Sequence, residues 1–150
     1  MPAKGEFTKS GATRADLEAA WQDRLAEAQS LLAAGHYAWA IATALYALEI
    51  RLKVLVCKKL DLEELPKAFE IHDLESLLLL AGLSRRIDRR GARAVRANWE
   101  NILPVARELN EIRYQPAGKW TASQAAALFE QLSDPTNGVL SWLSKHSKQR

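Results

Sequence analysis

Residues 37–60 carry apolar side chains on two sides of any helix they form, and no other segment narrows the possible folds as much. Tyr37, Ile41, Leu45, Leu48, Leu52 and Leu55 recur at helical spacing and make one stripe. Trp39, Tyr46, Ile50, Val54 and Cys57 make a second stripe on a different side. A helix that is apolar on two faces needs cover on both. It is therefore either central in a bundle or shared with a second subunit. Its few charged residues are Glu49, Arg51, Lys53 and two terminal lysines, with Glu49 and Lys53 spaced for an i,i+4 ion pair.

The flanking segments supply further helices. Thr13 is placed to cap a helix with Asp16 at its third position, and Leu17, Trp21, Leu25, Ala28 and Leu32 follow on one face until Gly35. Pro66 interrupts a connection over 61–71 with room for one helical turn. In residues 69–83, Asp73 caps a leucine-rich helix and Gly82 offers a left-handed exit. Ser84 is placed to cap the arginine-rich turn that follows. A helical pattern then extends over 91–114, with Val95, Trp99, Ile102, Val105, Leu109 and Ile112 on its apolar face. Pro104 should kink or restart it near Asn101. Residues 115–120 break the pattern, and the last region starts at Thr121 or Ser123. Asp134-Pro135 reads as an N-cap with proline at the first helical position, ahead of inward-facing Val139, Leu140, Trp142 and Leu143.

These elements predict an all-α, up-and-down bundle of about five helices, with no repeat and no strand. With 150 residues, the chain suits one domain over 13–150 behind a flexible lead-in over 1–12. Its longest apolar runs are too short to span a bilayer, and the N-terminus lacks the hydrophobic core of a secretory signal. Cys57 is the single cysteine, which leaves no internal disulfide and no cysteine-based zinc site. His36, His72 and His146 are far apart and lack ligand-spaced acids. The expectation is a cytoplasmic protein with no metal, no cofactor and no membrane partner.

Charge is unevenly spread. The chain's formal net charge is +3, yet Arg85, Arg86, Arg89, Arg90, Arg93 and Arg96 lie in twelve residues with one acid, Asp88, so that segment carries +5 and the rest −2. If this stretch is helical, Arg85, Arg89, Arg93 and Arg96 share a face flanked by Arg86 and Arg90. Such a surface can touch successive phosphates without reading sequence. The alternative is a solvated face balanced by Glu63, Glu64 or Glu100, or one that meets an acidic protein, and Gly91 can break the stripe. Of the five tryptophans, Trp120 in the loop beside Lys119 is the one expected to be exposed and able to stack on a base. Most of the others, and Cys57, read as core.

The order of these segments resembles the HEPN domain (higher eukaryotes and prokaryotes nucleotide-binding) over roughly residues 30–145. The resemblance rests on His72-Asp73-Leu74 with the leucines behind it, on the helix ending ALYALEIRLKVLVCKKL, and on Arg113-Tyr114 in NEIRYQP. It implies a helical bundle that commonly forms homodimers. Members act as toxins or defence effectors, many as metal-independent RNases, while others bind RNA, nucleotides or partner proteins without catalysis. Some work beside a nucleotidyltransferase-type antitoxin.

Catalytic members carry an arginine followed four to six residues later by histidine. An RNase acting through the 2′-OH needs a group titrating near neutrality, and an arginine steadies charge on the phosphate. Arg113 stands where the family arginine would be, but residues 114–120 contain no histidine, so the motif is degenerate. His72 follows Lys67 at a similar spacing in the wrong region, and its place beside a capping aspartate favours a loop-fixing hydrogen bond. Arg113 and Tyr114 either retain phosphate binding, or Arg113 pairs with Glu108 or Glu49 while Tyr114 packs on the terminal helix. Three functions follow: a noncatalytic binder of RNA, nucleotide or a protein partner; an RNase using Arg113, with His72 as a candidate acid or base; and a structural adaptor.

Overall fold

A computed structural model describes residues 12–147, and the lead-in expected over 1–12 lies, apart from Ala12, outside them. The described residues are all-α. Helices α1 (Arg14–Ala33), α2 (Tyr37–Lys59), α5 (Arg93–Arg107), α7 (Ala122–Ser133) and α8 (Val139–His146) are the five of eight residues or more. Three shorter ones, α3 (Leu74–Leu80), α4 (Ser84–Ile87) and α6 (Leu109–Ile112), lie between them.

Local chemistry sets several boundaries where the sequence places them. The Thr13 hydroxyl accepts from the Asp16 amide, the Asp73 carboxylate from the Ser76 amide, and Thr121 forms a full capping box with Gln124. Gly35 and Gly82 take positive φ, 82° and 76°, and turn the chain out of α1 and α3. The short connection after Gly35 folds α2 back along α1. The 61–66 loop is held to the start of α1 by an isolated antiparallel bridge. In it the Arg14 amide donates to the Glu63 carbonyl at 2.7 Å and the Leu65 amide to the Ala12 carbonyl at 3.1 Å.

Helix α2 is the axis of the fold. Seventeen of its 23 residues are buried, so it is central on most of its length. It packs against α1, α3, α6 and α7, while α5 packs on α7 and α8. Ile41, Leu45, Leu48 and Leu52 meet Leu77, Ile102, Leu128, Leu132 and Leu143 in one continuous core. Val54 and Cys57 enter a smaller cluster with Leu17 and Leu65. Only Trp39 and Tyr46 of the second stripe stay substantially exposed, at 50% and 40%.

Four boundaries differ from expectation. Helix α5 runs through Pro104 and stops at Arg107, with α6 restarting after Glu108. The carbonyl deprived of its partner belongs to Glu100, and both residues are exposed, so water can satisfy it. Ser84 makes no cap; Leu83 is the N-cap residue of α4. Asp134 does not start the last helix. It ends α7, and its carboxylate accepts from the amides of Thr136 and Asn137 at 3.2 and 2.7 Å, closing a turn around Pro135. Helix α8 begins only after Gly138.

Gly138 has an ordinary φ of −66°, but a Cβ there would fall 2.5 Å from the Asp134 carbonyl oxygen and 2.7 Å from that of Leu132. Backbone cannot retreat as a flexible side chain can. Gly138→Ala is therefore expected to destabilise the protein by about 1–3 kcal/mol, read from the urea midpoint.

Candidate nucleic-acid interface and the buried charges of α2

The arginine-rich segment is not one helical face. Arg85 and Arg86 lie on α4, Arg89 in the following turn, Arg90 in a single 3-10 turn (Arg90–Ala92), and Arg93 and Arg96 in the first turn of α5. The expected single stripe is replaced by a corner, because Ile87, Ala92 and Val95 must all turn inward to the core. Five of the six arginines are exposed and Arg86 is half-buried. Arg96 bridges Asp88 at 3.4 Å and Glu100 at 3.0 Å, as the alternative reading allowed for Glu100. No ion pair among the described residues holds Arg85, Arg89, Arg90 or Arg93. The corner thus keeps most of its positive charge available to solvent or a ligand.

Trp120 is a correction. It is buried at 7% in the main core, and its indole N–H donates to Gln115 Oε1 at 2.7 Å. It cannot stack on a base from there. Gln115 satisfies the one polar atom that burial would otherwise strand. Tyr114, by contrast, is 77% exposed and does not pack on α8. Arg113 pairs with neither Glu108 nor Glu49: its Nε donates to the Asn110 carbonyl at 3.3 Å, and its guanidinium lies 5.2 Å from the Tyr114 ring centroid. Arg113 and Tyr114 form an exposed cation–aromatic pair.

His72 is exposed, yet its Nδ1 lies 3.0 Å from Glu49 Oε1. This ties the loop before α3 to the centre of α2, the structural role anticipated for it. Glu49 Oε2 also accepts from Lys53 Nζ at 3.2 Å, and both of those residues are buried. No hydrogen bond or ion pair joins His72 to Arg113 among the described residues.

A second buried charge was not legible in the sequence. Arg51 is 4% exposed, with its guanidinium 5.1 Å from the Trp21 ring centroid and Nη1 3.5 Å from Glu18 Oε2. Glu18 also accepts from the Trp21 indole at 3.2 Å and lies 3.8 Å from Lys58 Nζ. Burial lowers the Arg51 pKa and Glu18 partly restores it. Trp21 and Glu18 are three residues apart on α1, and that spacing was the only available hint. Burial, opposed by Arg14, pushes the Cys57 thiol up, consistent with an unreactive core cysteine.

His146 sits near the end of α8, its ring centroid 4.4 Å from that of Trp142. Burial first, then Arg86, Arg89 and Lys145, hold its pKa below the ordinary histidine value. Among the described residues, no cluster of three or more His, Cys, Asp or Glu side chains could hold a metal ion. No helix there is long and apolar enough to cross a membrane. Comparison with known proteins found no matching family model, no matching curated protein and no matching solved structure.

Two outcomes follow from these charges. Glu49→Ala leaves Lys53 buried and unpaired and should cost about 3–5 kcal/mol, whereas His72→Ala, at an exposed pair, should cost less than about 1 kcal/mol in the same denaturation assay. For His146 the depressed folded-state pKa means that its neutral form favours the fold. That contribution is complete above the unfolded value of about 6.5 and is lost as pH falls through the folded value. Between pH 8 and 5 the urea midpoint of His146→Gln should therefore decline less than that of the wild type.

Proposed function

We propose that this protein is a cytoplasmic, homodimeric HEPN-like bundle that binds RNA through the arginine corner without the usual RNase chemistry, in a toxin–antitoxin or phage-defence setting. The observation that carries this reading is the set of exposed arginines 85, 89, 90 and 93, left without acidic partners among the described residues. Charges so placed gain little for the fold and are available to phosphates. Exposed Tyr114 with Arg113 adds an aromatic and a cation of the kind that stacks on unpaired bases. The HEPN resemblance supplies the dimer and the nucleotidyltransferase-type partner. Trp39 and Tyr46, two turns apart and exposed on α2, support a further contact surface.

Noncatalytic binding has more support than RNase activity. No histidine follows Arg113 within reach of the family spacing, and His72 is engaged with Glu49. The adaptor reading relied on the second stripe of α2, of which Val54 and Cys57 are consumed by the fold.

The test is single-stranded RNA binding by fluorescence anisotropy over a salt series. Charge reversal in Arg89→Glu/Arg93→Glu should weaken binding at every salt concentration and reduce the log–log salt slope by about 1.4, at about 0.7 per phosphate contact. An unchanged affinity and slope would remove the corner from the binding surface. RNA cleavage without metal that vanishes in Arg113→Ala, with the fold retained by circular dichroism, would replace this reading with the RNase one.

A further inference from the structure

A second basic feature lies beside the corner and was not visible in the sequence. A cleft of about 690 Å³ opens where the end of α2, the start of α1, the α3–α4 turn and the end of α8 converge. Its cationic lining is Arg14, Lys58, Lys59 and Arg86, joined by His146, with Asp61 as the acid. These come from four separate elements, so the fold and not a local sequence run gathers the charge. Arg14 and Lys58 are partly balanced by Glu63 at 3.1 Å and Glu18 at 3.8 Å, neither of which lines the cleft.

Lys59 has no ion pair among the described residues, and its side chain runs across Gly82: a Cβ on that glycine would meet Lys59 Cε at 3.0 Å. The glycine's positive φ and its missing side chain together leave that path clear. His146 also lines the cleft, and its Nδ1 is buried with no hydrogen-bond partner among the described residues. Burial is the first cause of the lowered His146 pKa, and the charges of Arg86, Arg89 and Lys145 add to it.

An ordinary structural explanation covers only part of this. Lysines in the last turn of α2 offset its exposed carbonyls, which accounts for Lys58 and Lys59. It does not account for Arg86 and His146 arriving from α4 and α8. The volume lies in the range of small-molecule sites, and Leu55, Ala81 and Leu83 add an apolar wall. Bare inorganic phosphate would leave most of that space empty.

We propose that this cleft binds a phosphomonoester, with Lys59 and Arg86 holding the phosphate and the apolar wall receiving the group that bears it. Two sources share this chemistry: the 5′-phosphorylated end of an RNA and a small free phosphate ester. The site is separate from the exposed arginines of the corner, so it does not depend on their binding RNA.

The experiment compares one oligoribonucleotide in its 5′-phosphate and 5′-hydroxyl forms, with glycerol 3-phosphate titrated calorimetrically alongside. The expected result is at least tenfold preference for the phosphorylated end, abolished by Lys59→Ala and by Arg86→Ala and retained as a ratio in Arg89→Glu/Arg93→Glu. That outcome assigns the RNA end. Saturable glycerol 3-phosphate binding lost in Lys59→Ala, with no preference between the two RNA forms, assigns the free ester. No preference together with no ester binding in the wild type overturns the proposal, as does binding that Lys59→Ala leaves intact. Lys59 is exposed, so its variant tests the site even if Arg86→Ala fails to fold.

Discussion

The rest of the structure depends on the need to surround α2. Burying Ile41, Leu45, Leu48 and Leu52 is worth roughly 1.5–3 kcal/mol each, and no single partner helix can cover side chains that point several ways. Helix α1 takes one flank through the hairpin, α3 closes part of another, and α6 and α7 the remainder. The charged side chains of α2 must then be neutralised where they stand. Glu49 answers Lys53 and His72, and Arg51 is enclosed by Trp21 and Glu18. Such pairs add little net stability over apolar residues, but losing one member is expensive. They fix how α1 and the loop before α3 approach the central helix.

The features that could be read from sequence are those decided within a turn or two. Thr13, Asp73 and Thr121 cap helices because a side-chain oxygen needs only the amide three residues on. Gly35 and Gly82 end helices for an equally local reason. The restart expected near Asn101 and the helix start expected at Asp134-Pro135 were misread because their outcomes are set by surroundings. A proline on the solvent face loses only a carbonyl that water can reach, so α5 continues. The Asp134 turn is drawn instead toward α5, where Asn98 Nδ2 donates to the Asn137 carbonyl at 2.9 Å.

The functional residues divide the same way. Six arginines in twelve residues are visible to any reader, but whether they make a stripe or a corner depends on Ile87, Ala92 and Val95 finding the core. Trp120 looked like a loop residue because its neighbours break helices; Gln115 and the core draw it inward. Arg14, Lys59, Arg86 and His146 are separated by as much as 132 positions, and only tertiary structure makes them neighbours.

The central place of α2 also bears on how the chain is made. Its N-terminal partner α1 precedes it on the ribosome and can pair at once in a hairpin of short sequence separation. The flank met by Leu128 and Leu132 has no native cover until α7 emerges, more than sixty residues later. At roughly 5–20 residues per second, that face waits for seconds in a half-built chain. The segment that organises the finished protein is thus also one left open to wrong partners during its synthesis.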